Sequence, residues 1–356
     1  MNSIILGATP RGTSIFWPFT HSDLANRHAL ILGRSGQGKT HCVRQMLGQI
    51  SVSSMSAVVF DYSNSYPKST WGNPLEEILV YRDGLPVNPF LRQNLRLGTN
   101  CFSEKESDTA DRLSDTLKDT LCLTPSQRNT LYTACLEGLR QENRYMHMEV
   151  LGKSLKEMDT DRSRTVLDKL TPLMDKDIFK VKNVLEWNSI LYNPGKITVI
   201  QLAGFSPTLQ RLITEFTLWD LWFYTREHGD VTKPFVVVLD ECQRLSFSDY
   251  SPASAILTEG RKYGWSAWFA TQFLQDNFKP AAINRLEQCA LKMNFKPTEK
   301  EARSIAKELD SSQVQEWEKR LAALEQGQCI VRCPIENHFG KLLPSSPLIM
   351  QVPFLN

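Results

Sequence analysis

No run of apolar residues approaches the ~20 needed to span a bilayer; the longest, residues 235–239, has only the length of a buried strand. Residues 1–7 lack the charged and apolar regions of a signal peptide, so the expected address is the cytoplasm, without membrane insertion. An excess of charge is missing too. Lys and Arg number 41 against 39 Asp and Glu, which excludes reading a nucleic-acid partner from net charge; any DNA-binding groups must be concentrated locally. The eight cysteines form no C-x-x-C pair and no paired zinc-ligand spacing. Cys329 and Cys333 with His338 are partial ligands at most, and the alternation Cys-Ile-Val-Arg-Cys reads as one face of a strand. The expectation is buried, reduced thiols. Internal repeats and low-complexity tracts are also absent.

What is present has the proportions of a globular chain: 356 residues, 41% hydrophobic and 22% charged. The apolar stretch 29–32 is followed by a Gly-rich turn and a helix-compatible segment at 40–50. Further strands are expected at 57–61, 197–202 and 235–239, whose β-branched, non-alternating composition suits parallel strands covered on both faces. Between the last two lies a helix with Ser206 at its N-cap, Pro207 at its first position and Leu209, Leu212, Ile213, Phe216 and Leu218 as its apolar stripe. Strands at 265–270, 290–295 and 328–332 continue the pattern. Thr298 with Glu301 predicts a capping box. The fold class is therefore α/β, with a mainly parallel central sheet flanked by helices.

Residues 101–187 differ, with Leu, Lys, Asp, Glu, Arg and Met at helical spacing and few β-branched runs. They are expected to form an all-α insertion subdomain in a core made of 1–100 and 188–356. Thr124-Pro125-Ser126-Gln127 marks one helix start, and the polar stretch 159–164 separates two more.

Gly33-Arg34-Ser35-Gly36-Gln37-Gly38-Lys39-Thr40 fits G-x-x-x-x-G-K-[ST] at every fixed position. Such a loop turns consecutive N–H groups inward on a phosphate, and the following helix presents its positive end to the same anion. The expected ATP ligands are Gly33, Ser35, Gly36, Gln37, Gly38, Lys39, Thr40 and His41, with Lys39 reaching the β and γ phosphates and the Thr40 hydroxyl on Mg2+. The strand at 235–239 runs into Asp240-Glu241, an acid pair at the carboxyl end of a buried strand, where open α/β sheets bind ligands. Asp240 is expected to hold Mg2+, and Glu241 to deprotonate the attacking water. Gln272, ending the next strand, places an amide where it can touch both γ phosphate and water. Arg261 and Lys262 close a helix whose negative end explains their charge; the sharper reading makes Arg261 an arginine finger toward a neighbouring subunit's nucleotide. Arg244, Lys262, Arg285 and the loop 246–252 are candidates for DNA contact, with a solvated charged face as the rival explanation.

The loop 33–40, Phe60-Asp61, Asn88-Pro89-Phe90, Leu239-Asp240-Glu241, the run from Glu259 to Gly264 and Ala270-Thr271-Gln272 occur in the order found in HerA-FtsK ATPases. The chain resembles that superfamily, most nearly HerA-type DNA translocases and the conjugation and secretion ATPases near them. The resemblance implies a RecA-like P-loop core that forms a hexameric ring, binds ATP between subunits, threads double-stranded DNA and works beside a nuclease or other processing or defence subunits. It also makes Lys39, Glu241, Gln272 and Arg261 the catalytic set, with Arg261 acting in trans and Asp61 a polar strand end near the site. Such proteins usually carry a β-barrel before the core, for which 32 residues ahead of the loop leave no room. The expectation is then a short relative, or the carboxyl-terminal part of a longer or split system. The rival functions are a coupling motor for conjugation or secretion and a nucleotide-gated assembly module with slow turnover.

Overall fold

Runs without polar alternation become the centre of one sheet, because a strand covered on both faces has no face to give to water. The computed structural model describes residues 3–71, 74–97, 99–142, 146–180 and 184–353. Its first strands are β1 (Ile4–Ala8), β2 (Ser14–Trp17), β3 (Ala29–Leu32), β4 (Ala57–Asp61) and β5 (Leu75–Leu79). A hairpin of β6 (Asn94–Leu97) and β7 (Asn100–Ser103) follows, then β8 (Ile197–Gln201), β9 (Phe235–Asp240) and β10 (Trp265–Thr271). Last come β11 (Leu291–Phe295), β12 (Gln328–Arg332), the small hairpin β13 (Ile335–Glu336) and β14 (Leu342–Leu343), and β15 (Leu348–Gln351).

Eleven of these strands form one sheet in the order β2-β1-β15-β12-β11-β3-β10-β9-β4-β8-β5. The seven from β11 to β5 run parallel, and β12, β15, β1 and β2 are added antiparallel at one side. Every position of β3, β4, β9 and β10 is buried, whereas the edge strand β2 alternates exposed and buried. Successive side chains feed opposite faces. Leu30, Leu32, Val237 and Leu239 join one core, while Ala29, Ile31, Val236 and Val238 join the other with the apolar side of α1 (Lys39–Val52).

After the short helices α2 (Lys68–Trp71) and α3 (Val80–Asp83), four helices leave the sheet: α4 (Glu106–Leu121), α5 (Pro125–Glu142), α6 (Met148–Met158) and α7 (Asp161–Met174). α8 (Trp187–Leu191) returns the chain to β8, and α9 (Pro207–His228) links β8 to β9. The helices do not stand apart. Leu113, Leu117 and Leu131 share one core with Phe216 of α9 and the sheet, and Trp219 Nε1 of α9 donates to Thr116 Oγ1 at 3.2 Å. The remaining helices are α10 (Pro252–Glu259), α11 (Pro280–Leu286), α12 (Glu299–Leu309) and α13 (Val314–Ala323).

Ser206 caps α9 with Pro207 next, and the reciprocal Thr124–Gln127 bonds at the start of α5 form as the sequence predicts. The Thr298–Glu301 box does not form. Glu301 turns away to accept from the Gln275 N–H at 2.8 Å, and the Thr298 hydroxyl is buried without a partner among the described residues. The thiols also need correction: all eight are unpaired, but Cys101 on the hairpin and Cys122 at the left-handed end of α4 are exposed.

Candidate functional site

Three glycines shape the loop between β3 and α1. Gly33 has φ +150°, and a Cβ there would lie 2.5 Å from Phe295 Cβ, a separation no side chain tolerates. Gly36 and Gly38 have φ +75° and +109°, the region glycine enters without cost. Neighbours hold this backbone from outside. Gly33 N donates to Thr271 O (3.3 Å), Arg34 N to Lys296 O (3.0 Å), Gly327 N to Gln37 O (3.0 Å) and Gln326 Nε2 to Gly36 O (2.9 Å). Arg34, Ser35 and Gly36 stay exposed, and no side chain caps the start of α1. The loop therefore offers unsatisfied N–H groups beside a helix terminus, the requirement for seating a phosphate.

Lys39 Nζ is buried and folds back onto the carbonyls of Gly33 (2.6 Å) and Arg34 (3.0 Å). Burial lowers its pKa, opposed by the negative charges of Asp240 and Glu241. The two motifs, two hundred residues apart, thus meet. Thr40 Oγ1 donates to Asp240 Oδ2 at 3.2 Å, and Tyr66 Oη donates to the same oxygen at 3.0 Å. Burial and then the neighbouring Glu241 raise the Asp240 pKa, while Tyr66, Thr40 and Lys39 pull it down. Tyr66 is placed by Asp61, whose carboxylate accepts from the backbone N–H of Ser63 (3.1 Å), Ser65 (2.9 Å) and Tyr66 (2.9 Å). Asp61 thereby shapes the turn that carries Tyr66 to Asp240.

Glu241 sits at φ 64°, left-handed for a residue with a side chain, an arrangement costing of order 1 kcal/mol or more. Its Oε1 accepts from Gln272 Nε2 at 3.3 Å, and its Oε2 accepts from Gln243 Nε2. Gln243 Oε1 in turn accepts from Thr271 Oγ1 at 2.7 Å. Lys39, Thr40, Asp240, Glu241 and Gln272 are therefore gathered at the carboxyl ends of β3, β9 and β10. His41 instead sets Nε2 2.7 Å from Pro353 O, tying α1 to the end of the chain.

The donor set suits magnesium carried in with a nucleotide. A hydroxyl and a carboxylate stand side by side, and no cluster of three or more His, Cys, Asp or Glu able to hold a metal occurs among the described residues. Mg2+ commonly takes one or two protein oxygens and fills its octahedron with water and phosphate.

Arg261 lies elsewhere. It is in the 3₁₀ turn Gly260–Tyr263 before β10, whereas Gln272 follows that strand's other end. Six residue steps along β10 separate the two by about 20 Å. Arg261 lines an open cleft of about 1030 Å³ at the amino ends of the strands, together with Arg27. Arg27 is buried, donates to Phe19 O at 2.8 Å, and has its pKa lowered by burial and then by the charge of Arg261. Among the described residues neither guanidinium has an ion-pair partner.

The three basic candidates for DNA contact each have partners within the chain. Arg244 lies over the Tyr62 ring (5.4 Å) and donates to Gln210, and Arg285 pairs with Asp249 while donating to Phe247 O (3.0 Å) and Ser254 Oγ (3.1 Å). Lys262 pairs with Glu259 at 3.2 Å on the surface. Tyr66, Gln243 and Arg27 are the residues of interest that sequence reasoning missed. Tyr66 and Arg27 carry no motif signal; Gln243 had a weak one, two positions after Glu241.

Residues 6–220 match the family described as Helicase HerA, central domain. The chain belongs to the HerA family. The matched segment holds the phosphate loop, Asp61 and Tyr66; the acid pair, Arg261 and Gln272 lie beyond it and join the site through the contacts just described. The DNA double-strand break repair helicase HerA of Sulfurisphaera tokodaii is 24% identical over 357 aligned positions, covering 91% of this chain and 68% of that protein. Among solved structures, VirB4 of Thermoanaerobacter pseudethanolicus superposes with a TM-score of 0.74 at 14% identity, covering 99% of this chain and 97% of VirB4. The bacterial conjugative coupling protein TrwB gives 0.64 at 14% identity, over 98% of this chain and 89% of its own. This HerA-family chain thus has the RecA-like α/β fold of P-loop ATPases. Among its described residues no helix is long and apolar enough to cross a membrane.

Proposed function

We propose that this chain is an ATP-hydrolysing motor that moves along or processes double-stranded DNA, assembled as a hexameric ring within a DNA-processing or defence complex. The 3.2 Å contact between Thr40 and Asp240, with Lys39 beside them, carries this reading: it joins a phosphate cradle to an acid pair at one point. TrwB, of the same fold, has been solved with ADP and Mg2+. In this reading residues 1–100 and 188–356 are the motor core and 101–187 an insertion subdomain.

The N–H groups of residues 35–40 and the Lys39 ammonium bind the β and γ phosphates. Thr40 Oγ1 and Asp240 hold the magnesium, which supplies charge neutralisation and alignment of the phosphate oxygens. Glu241 takes a proton from the attacking water on a carboxylate oxygen, and the Gln272 amide orients that water against the γ phosphate. Arg261 cannot serve its own chain's nucleotide across about 20 Å; with Arg27 it faces the nucleotide of an adjacent copy and offsets charge developing on the transferred phosphate.

ATP turnover measured with and without duplex DNA tests the reading. Stimulation by duplex DNA, lost in Lys39→Ala, is expected; turnover indifferent to every DNA tried removes the DNA motor. The likeness to VirB4 and TrwB supports a second reading, a coupling ATPase for conjugation or secretion, which predicts co-purification with a membrane channel. A slow nucleotide-gated module would stay loaded, turning over well below the ~1 per second at which ordinary enzymes begin.

A further inference from the structure

The phosphate loop, the acid pair and the amide after β10 are joined by the middle residue of the Ala270-Thr271-Gln272 run, to which no role was given. Thr271, fully buried, accepts from Gly33 N through its carbonyl at 3.3 Å, and its single hydroxyl proton lies between Gln243 Oε1 at 2.7 Å, the shorter contact, and Phe273 O at 3.0 Å. The Glu241 carboxylate fixes the direction of the Gln243 amide. A carboxylate only accepts, so the nitrogen of Gln243 must face Glu241 Oε2 and its oxygen must face Thr271. The other carboxylate oxygen, Oε1, receives Gln272 Nε2 at 3.3 Å. Both lone-pair faces of Glu241 are thus held by amides, on a residue whose left-handed backbone needs outside support to persist.

The two amides are not equivalent. Gln272 ends its strand free to turn toward an incoming phosphate and water, whereas Gln243 is tied to the sheet through Thr271. We propose that Gln243, anchored on Thr271, is a positioning residue that keeps the Glu241 carboxylate aimed at the end of β10 when Gln272 leaves it for the nucleotide. It touches neither substrate nor metal; it acts through Glu241. This inference rests on the ATPase reading above and names how its general base is aimed.

The test uses the full chain with ATP, Mg2+ and duplex DNA, comparing Gln243→Ala, Gln243→Glu and Thr271→Val for kcat, for KM and for nucleotide affinity. Misaiming a base without removing it should lower kcat about ten-fold, short of the 10²–10⁴-fold that general-base catalysis typically contributes, with KM for ATP and thermal stability unchanged. Gln243→Glu keeps the shape but sets carboxylate against carboxylate, so its loss should exceed that of alanine. Thr271→Val keeps the volume and removes the anchor together with the hydroxyl's 3.0 Å contact to Phe273 O, so it should lower kcat less, and the double variant with Gln243→Ala should lose no more kcat than Gln243→Ala alone. Wild-type turnover in both Gln243→Ala and Thr271→Val overturns the inference while leaving the ATPase reading intact. So does a joint change of kcat, KM and melting temperature, the mark of a merely structural glutamine. A wild-type chain that binds ATP but never turns it over overturns both.

Discussion

The two ends of β10 are built for opposite tasks. At its carboxyl end Thr271 and Gln272 close around the phosphate loop and the acid pair, and each charge there has a partner: Lys39 its carbonyls and carboxylates, Asp240 its two hydroxyls, Glu241 its two amides. At its amino end an open cleft of about 1030 Å³ is lined by Arg27, Lys233 and Arg261 with the Asp230 carboxylate, and the charge of Arg261 is felt at Arg27. Like charges are not normally left so close without a purpose, because each raises the cost of the other. One end balances its charges within the chain, and the other sets the cations Arg27, Lys233 and Arg261 beside one carboxylate. In the function proposed above, the nucleotide phosphates of a second copy would meet these arginines.

The largest effect separating the ends should come from Lys39→Ala, which removes turnover and phosphate binding together; an unimpaired ATP affinity breaks the assignment of the carboxyl end. Arg261→Ala should come next, reducing turnover by about 10³-fold, as removal of an arginine finger does, yet leaving ATP affinity unchanged. A fall in affinity with Arg261→Ala would mean that the ends are not separate.

Smaller effects should stay within the carboxyl end. Glu215, fully buried on α9, accepts from the Ser246 N–H in the segment after the acid pair, and burial pushes its carboxyl from 4.5 up to about 7. Because the folded pKa lies above the unfolded one, stability is full below about pH 4.5, falls as pH rises to about 7, and is constant above. Glu215→Gln should therefore raise the melting temperature at pH 8, by an amount equivalent to about 3 kcal/mol at most, with the gain gone near pH 4.5. No gain in a thermal scan at pH 8 would contradict this. Tyr66→Phe deletes one hydroxyl on Asp240 and should weaken Mg2+-dependent nucleotide binding by about 1 kcal/mol, seen as a several-fold rise in the Mg2+ needed for half-maximal binding.

The legible parts of the sequence were those with local causes. β3, β4 and β12 fall where their apolar runs end, and the caps of α9 and α5 lie within four residues of their partners. The phosphate loop was legible for the same reason, its glycines and lysine being consecutive. What escaped depends on distant neighbours. β1 and β15 pair across nearly the whole chain, Ala8 opposite Gln351, and nothing in Leu-Ile-Met-Gln announces that, while β2 joins the sheet through its short hairpin with β1. Tyr66 reaches Asp240 over 174 positions, and Glu301 deserts its own cap for Gln275, 26 positions away. Gln243 was overlooked because its meaning depends on Thr271, which sequence spacing does not bring near.

The most direct measurement mixes Arg261→Ala with Glu241→Gln, each inactive alone, and follows ATP turnover in assemblies verified by sedimentation. Activity above the sum of the separate proteins is predicted, because some interfaces then pair an intact arginine end with an intact acid end. Intact mixed assemblies with no recovered turnover would contradict the claim that one copy's amino end completes another's site.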